Sequence, residues 1–170
     1  PLRHLMMGSE NSIHRLKNDI TKMSIGLHDD DLKLLDDHVR LATLEQVDDP
    51  FISVSTAANI EKWRATIEAF VPDVLWVDPW GDVLSGESNS DEDVRATVMI
   101  LRGLLRSVNP NGALIILAHS RTGVSNIRQA TGFDGGNFGK GSKALYSAAR
   151  CVWNLAPGDE TETRPVLMFN

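Results

Sequence analysis

Three residues combine side chains that chemistry uses with places where chemistry tends to sit. They are Glu10 in "GSENS", Asp78 closing "DVLWVD", and His119 closing "ALIILAH". Phosphoryl transfer to water needs a carboxylate set against the attacking water, a second carboxylate on Mg²⁺, and a polar group beside the terminal phosphate. Asp78 carries the most weight, because an apolar strand ending in aspartate can hold Mg²⁺, usually through a water. Each residue also has a plain structural reading. Asp78 can cap the turn that Pro79 imposes. Glu10 stands where the N-terminal dipole of a helix favours an acid, and His119 can be a satisfied structural group at the end of a buried strand. Their combination points to chemistry more than any one of them does.

Such chemistry also needs a cradle for the phosphates, and "GGNFGKGS" (135–142) has the composition of one. The phosphate loop has the spacing G-x-x-x-x-G-K-[ST] and lies between the first strand and its helix. With Gly139 and Lys140 in the G-K positions, a glycine is required at 134. The residue there is Asp134, whose charge would face a phosphate. Lys140 is followed by Gly141, so the hydroxyl that should meet Mg²⁺ is displaced by one position. The stretch also lies late in the chain. It reads as a glycine loop delivering Lys140, and no other part of the sequence supplies a cradle.

The elements that position these residues alternate between strand and helix. "RHLMM" (3–7) reads as a strand, followed by a helix that Ser9 or Asn11 caps. The segment 29–43 has Leu32, Leu35 and Val39 near helical spacing, with Asp29 to Asp31 at its positive end. "FISVS" (51–55) alternates like a strand, and 57–71 places Ile60, Trp63, Ile67 and Phe70 on one helical face. "DVLWVD" (73–78) is a strand, an acidic loop (86–93) leads into a helix over 94–108, and "ALIILAH" (113–119) is a second buried strand. Beyond the polar loop 120–139, a helix is expected over 142–150. Strands over 151–156 and 164–170 then close the chain as a pair around "PGDETET". Nearly continuous apolar strands separated by helices predict an α/β fold, a mostly parallel sheet covered on both faces. In such sheets ligands bind beyond the carboxyl ends of the strands, where Glu10, Asp78 and His119 fall.

A length of 170 residues suits one domain over 1–170, and 42% hydrophobic with 24% charged residues is an ordinary globular mix. The net charge of −6 gives no global basic footprint for nucleic acid, though an oligomer can gather local basic loops around a channel. A single cysteine excludes an internal disulfide and fits a reducing, cytoplasmic setting; its neighbours Arg150, Val152 and Trp153 make Cys151 read as a buried strand thiol. No run approaches the roughly 20 apolar residues that span a bilayer, so no membrane partner is expected. Both termini read as cut in mid-strand, so the chain is expected to be part of a larger protein. A sheet lacking a strand would expose an edge that invites self-association.

"LMMGSENSIHRL", "DVLWVDPWGDVL", "GALIILAHSRTG" and "GKGSKALYSAARCVWNL" follow one another in an order that resembles the RecA-like ATPase domains of plasmid- and phage-type hexameric replicative helicases of the RepA kind. The resemblance covers nearly the whole chain from the strand after the phosphate-loop helix onward; the phosphate-loop strand, loop and helix are absent. It implies a three-layer αβα RecA-like fold, truncated at its N-terminus, with a C-terminal antiparallel strand pair. It also implies ATP and Mg²⁺ as cofactors, a homo-oligomeric ring, a hexamer in that family, and single-stranded DNA as a partner. Glu10 matches the catalytic glutamate that polarises the hydrolytic water. Asp78 matches the Walker B aspartate on Mg²⁺, and His119 the sensor of the γ-phosphate. Lys140 falls where the family places an arginine finger reaching a neighbour's site; lysine keeps the charge but loses the bidentate fork. Arg150 matches a second basic residue ten positions on. Arg121 and Arg128 would lie on a channel-facing loop that touches DNA backbone. Two other readings stay open: a non-catalytic RecA-fold assembly or regulatory module, and a recombinase- or clock-type RecA relative.

Overall fold

The computed structural model of the chain describes residues 1–43, 52–119, 143–157 and 165–169. Four strands, β1 (His4–Gly8), β2 (Val39–Thr43), β3 (Val74–Asp78) and β4 (Ala113–Ile116), form one all-parallel sheet in the order β2-β1-β3-β4. The register sets Leu5 beside Arg40 and Leu75, and Met7 beside Ala42 and Val77; Leu75 and Val77 in turn lie beside Leu114 and Ile116. Successive side chains in a strand point to opposite faces, so these apolar residues share one face.

That face carries the core. It packs against α3 (Ala57–Phe70) through Trp63, Ile67 and Phe70, and against α5 (Asp91–Val108) through Val94, Val98, Leu101 and Leu105. The spacings of three and four residues put each set on one helical stripe. Burying each large side chain contributes about 1.5–3 kcal/mol. Thr56 caps α3 by accepting from the Asn59 N–H at 3.2 Å, and Ser90 caps α5 by accepting from the Asp93 N–H at 3.2 Å. Asp91, Glu92 and Asp93 fill the first turn of α5, where its dipole favours negative charge. Trp80 and Val83 of the short α4 (Trp80–Val83) join the same core, as does Ala144 of α6 (Lys143–Ala148), which lies against α5.

The opposite face is looser. It carries Met6, Trp76 and Ile115 side by side, with Leu41 next to Met6, and all four are only half-buried. The step from β1 to β2 runs one way across the sheet, while the steps from β2 to β3 and from β3 to β4 run the other way. Right-handed crossovers therefore assign α1 (Ile13–Met23) and α2 (Asp29–His38) to the looser face, and α3 and α5 to the packed one. Neither α1 nor α2 contains a buried residue. The α/β architecture, with four parallel strands and six helices among the described residues, is compatible with a three-layer αβα fold. The backbone of β5 (Trp153–Pro157) runs antiparallel to that of β6 (Pro165–Phe169) in a separate two-stranded ladder. No ladder among the described residues joins it to the four-stranded sheet, so a closing pair on a RecA-like sheet stays an expectation.

Several expectations are corrected. The segment 29–43 is helical only to His38; Val39 to Thr43 form the strand beside β1. Residues 52–55 of the expected "FISVS" strand are not a strand; Val54 N–H bonds to the Val83 carbonyl at 3.1 Å instead of to a sheet neighbour. The α1 cap is Ser12, not Ser9 or Asn11; its side chain accepts from the Arg15 N–H at 3.3 Å. Cys151 is exposed and precedes β5, so it is no buried strand thiol. Among the described residues no helix is long and apolar enough to cross a membrane.

Candidate active site

The carboxyl ends of β1, β3 and β4 lie side by side because the register makes them. Gly8, the last residue of β1, is aligned with Asp78, the last residue of β3. A Cβ on Gly8 would stand 3.1 Å from the Asp78 carbonyl oxygen, so glycine lets the strands keep their approach here. The next residue, Ser9, is held twice. Its N–H donates to the Asp78 carbonyl at 3.0 Å, and its Oγ donates to Asp82 Oδ2 at 2.5 Å. Glu10 follows on this tethered segment, just before the Ser12 cap of α1.

β3 ends in Asp78, and Pro79 leads directly into α4. The Trp80 N–H donates to the Leu117 carbonyl at 2.8 Å, while the Leu117 N–H donates to Val77 at 2.9 Å. The regular strand β4 stops at Ile116, shorter than the expected 113–119, yet these bonds carry the backbone on toward His119. His119 Nε2 then lies 3.9 Å from Glu10 Oε2, with both side chains substantially exposed, 64% and 48%. Even between two full charges, an exposed contact at that distance is worth at most about 1 kcal/mol. It matters because it records where two chain segments meet.

Asp78 is the half-buried member of the group. Its carboxyl is held above the usual carboxylate range, first by burial and then by the negative charges of Glu10 and, more weakly, Asp82; His119 acts in the opposite direction. The structure thus brings Glu10, Asp78 and His119 to one edge of the sheet. A cation at this edge would relieve the repulsion among the carboxylates. No group of three His, Cys, Asp or Glu among the described residues forms a metal cage. A Mg²⁺ needs only one or two protein carboxylates when water and phosphates supply its other ligands, and Asp78 is a residue that could hold one.

Arg150 is exposed just past α6, and no hydrogen bond or ion pair among the described residues joins it to Glu10, Asp78 or His119. Lys140, the stretch 135–142, Arg121 and Arg128 lie outside the described residues. Sequence reasoning missed Ser9 and Asp82. The four-residue step in "DPWGD" was visible, but nothing in the sequence indicates that Asp82 reaches a serine 73 positions away.

Two acids and a histidine thus stand at the carboxyl edge of a parallel α/β sheet, the edge at which sheets of this class bind ligands. No protein-family model matches the chain, and no curated protein matches it either.

Proposed function

We propose that this chain is part of an ATP-hydrolysing, RecA-like motor domain of the kind found in plasmid- and phage-type replicative DNA helicases. The observation that carries the reading is the meeting of Glu10, Asp78 and His119 at the carboxyl edge of the sheet, with His119 and Glu10 3.9 Å apart. Glu10 is exposed enough to take a water and polarise it toward a phosphate. His119, beside it, would register the terminal phosphate. Asp78 is the residue that would hold and orient a Mg²⁺, whose charge would offset the negative charge that develops on the phosphates. The phosphate cradle would come from outside these 170 residues, since none of them has the required spacing.

The reading extends, as proposals, to a ring-shaped homo-oligomer, to single-stranded DNA in its channel, to a cytoplasmic setting and to the RecA-like placement of the C-terminal strand pair. Lys140 and Arg150 are the candidates for basic residues serving a neighbouring subunit's phosphate, and Arg121 and Arg128 for contacts to DNA backbone. In the intact protein, Glu10→Gln should lower Mg·ATP turnover about 10²- to 10⁴-fold, the usual contribution of a positioned base, while nucleotide binding survives. Normal turnover in that variant would remove Glu10 from the role. A second reading, a non-catalytic RecA-fold module, is favoured by the missing phosphate loop; an intact protein that neither binds nor hydrolyses Mg·ATP would establish it over the first.

A further inference from the structure

The proposed reaction gives roles to Glu10, Asp78 and His119, but it leaves unexplained what holds an exposed glutamate in one place. We propose that Asp82 is a positioning residue which, through the Ser9 hydroxyl, fixes the β1–α1 segment and so sets where the Glu10 carboxylate stands against His119. The catalytic consequence rests on the ATPase reading; the positioning itself does not.

Ser9 Oγ donates to Asp82 Oδ2 at 2.5 Å, at the short end for a hydroxyl on an ionised acceptor. The Ser9 main chain is tied to the same turn through the Asp78 carbonyl at 3.0 Å. One residue before Glu10 is thus held by both backbone and side chain. The same turn also holds the segment that follows β4, because the Trp80 N–H donates to the Leu117 carbonyl, two residues before His119. The segment from Asp78 to Asp82 therefore clamps both chains that carry the other two candidate residues.

The simpler account makes Asp82 an acid favoured by the N-terminal dipole of α4. That helix has four residues, too short for a substantial dipole, and the Asp82 carboxylate reaches across to Ser9, just beyond β1, rather than back to its own turn. Asp82 also adds unfavourable negative charge beside Asp78. A side chain whose short hydrogen bond spans 73 positions of sequence is better explained by what it positions.

Ser9→Ala is the cleanest probe because it removes the hydroxyl without changing charge. In the 170-residue chain at one fixed pH, the ring signals of His119 in ¹H–¹³C spectra should move in the direction that Glu10→Gln moves them. Ser9→Thr, which keeps the hydroxyl, and Asp82→Asn, which keeps an acceptor, should lie close to the unsubstituted chain, and Ser9→Ala alone tests the latch if Asp82→Ala fails to fold. In the intact protein, Ser9→Ala should lower kcat about ten- to a hundredfold with KM for Mg·ATP changed less than threefold, the pattern of a misplaced catalytic group. Adding Asp82→Ala should cost little more, because the two residues act as one unit. His119 signals unmoved by Ser9→Ala, or kcat losses that multiply in the double variant, would overturn the proposal. An intact protein without ATP turnover would instead sink the functional reading, and the His119 signals would still decide the latch.

Discussion

Asp78 shows how a residue at a candidate site can work against the fold. Burial and the nearby charges of Glu10 and Asp82 raise its pKa, so the folded state prefers the protonated form. A group raised in this way contributes stability that is complete at low pH and is lost as pH climbs through its folded-state value. At neutral pH the ionised carboxylate works against folding, tempered by its partial exposure to solvent. Asp78→Asn should therefore melt at a higher temperature than the unsubstituted chain at pH 7. The advantage should vanish as the pH is lowered below the ordinary carboxylate range. A lower melting temperature for Asp78→Asn at pH 7 would contradict this account. Glu10, Asp78 and His119 were legible in the sequence because each closes or follows an apolar strand, and a parallel sheet gathers those ends. Ser9 and Asp82 were not, because their pairing is a tertiary contact with no local signature.

At the scale of elements, short apolar runs are where strand and helix periods conflict. In 29–43, Leu32, Leu35 and Val39 satisfy a helical spacing, yet Val39, Leu41 and Thr43 equally satisfy a strand. The ladder to β1 decides the matter, since β1 would otherwise leave one side unpaired. "FISVS" has the reverse history. Its alternation is real, with Ile52 and Val54 only 6% and 1% exposed, but its backbone partners come from side chains and from α4. Trp63 Nε1 donates to the Ile52 carbonyl at 2.8 Å and Asn59 Nδ2 to the Ser53 carbonyl at 2.8 Å, while Ser53 Oγ donates to the Leu84 carbonyl at 3.0 Å. A short irregular segment pinned by side chains looks like a strand to any test of periodicity. Trp63→Phe keeps an aromatic ring in the core but leaves the Ile52 carbonyl without this donor. The loss should be about 1–3 kcal/mol, the cost of an unsatisfied buried acceptor. Urea unfolding of Trp63→Phe with an unchanged midpoint would show that the tryptophan only fills space.

The whole molecule is asymmetric in how its sheet is covered, and that asymmetry has a consequence in solution. One face is sealed by α3 and α5, whereas Met6, Trp76 and Ile115 on the other are half-buried. Among the described residues β4 ladders with β3 alone, and Leu117, just beyond it, is 38% exposed. An apolar strand with one side of its backbone unpaired is a template for another strand, and most proteins protect such edges with charge, proline or a bulge. "ALII" carries none of these. The 170-residue chain should therefore associate in a concentration-dependent manner when followed by sedimentation velocity. Net charge distinguishes the cause. Each copy carries −6, so electrostatics opposes association, and added salt should strengthen it by screening that repulsion. Association through complementary charges would weaken instead. Ile115→Lys places a charge on the loosely covered face of the same strand. It should reduce association while leaving the circular dichroism spectrum unchanged. A chain that remains monomeric across the concentration range, or whose association fades with salt, would show that this edge and face are not the adhesive surface.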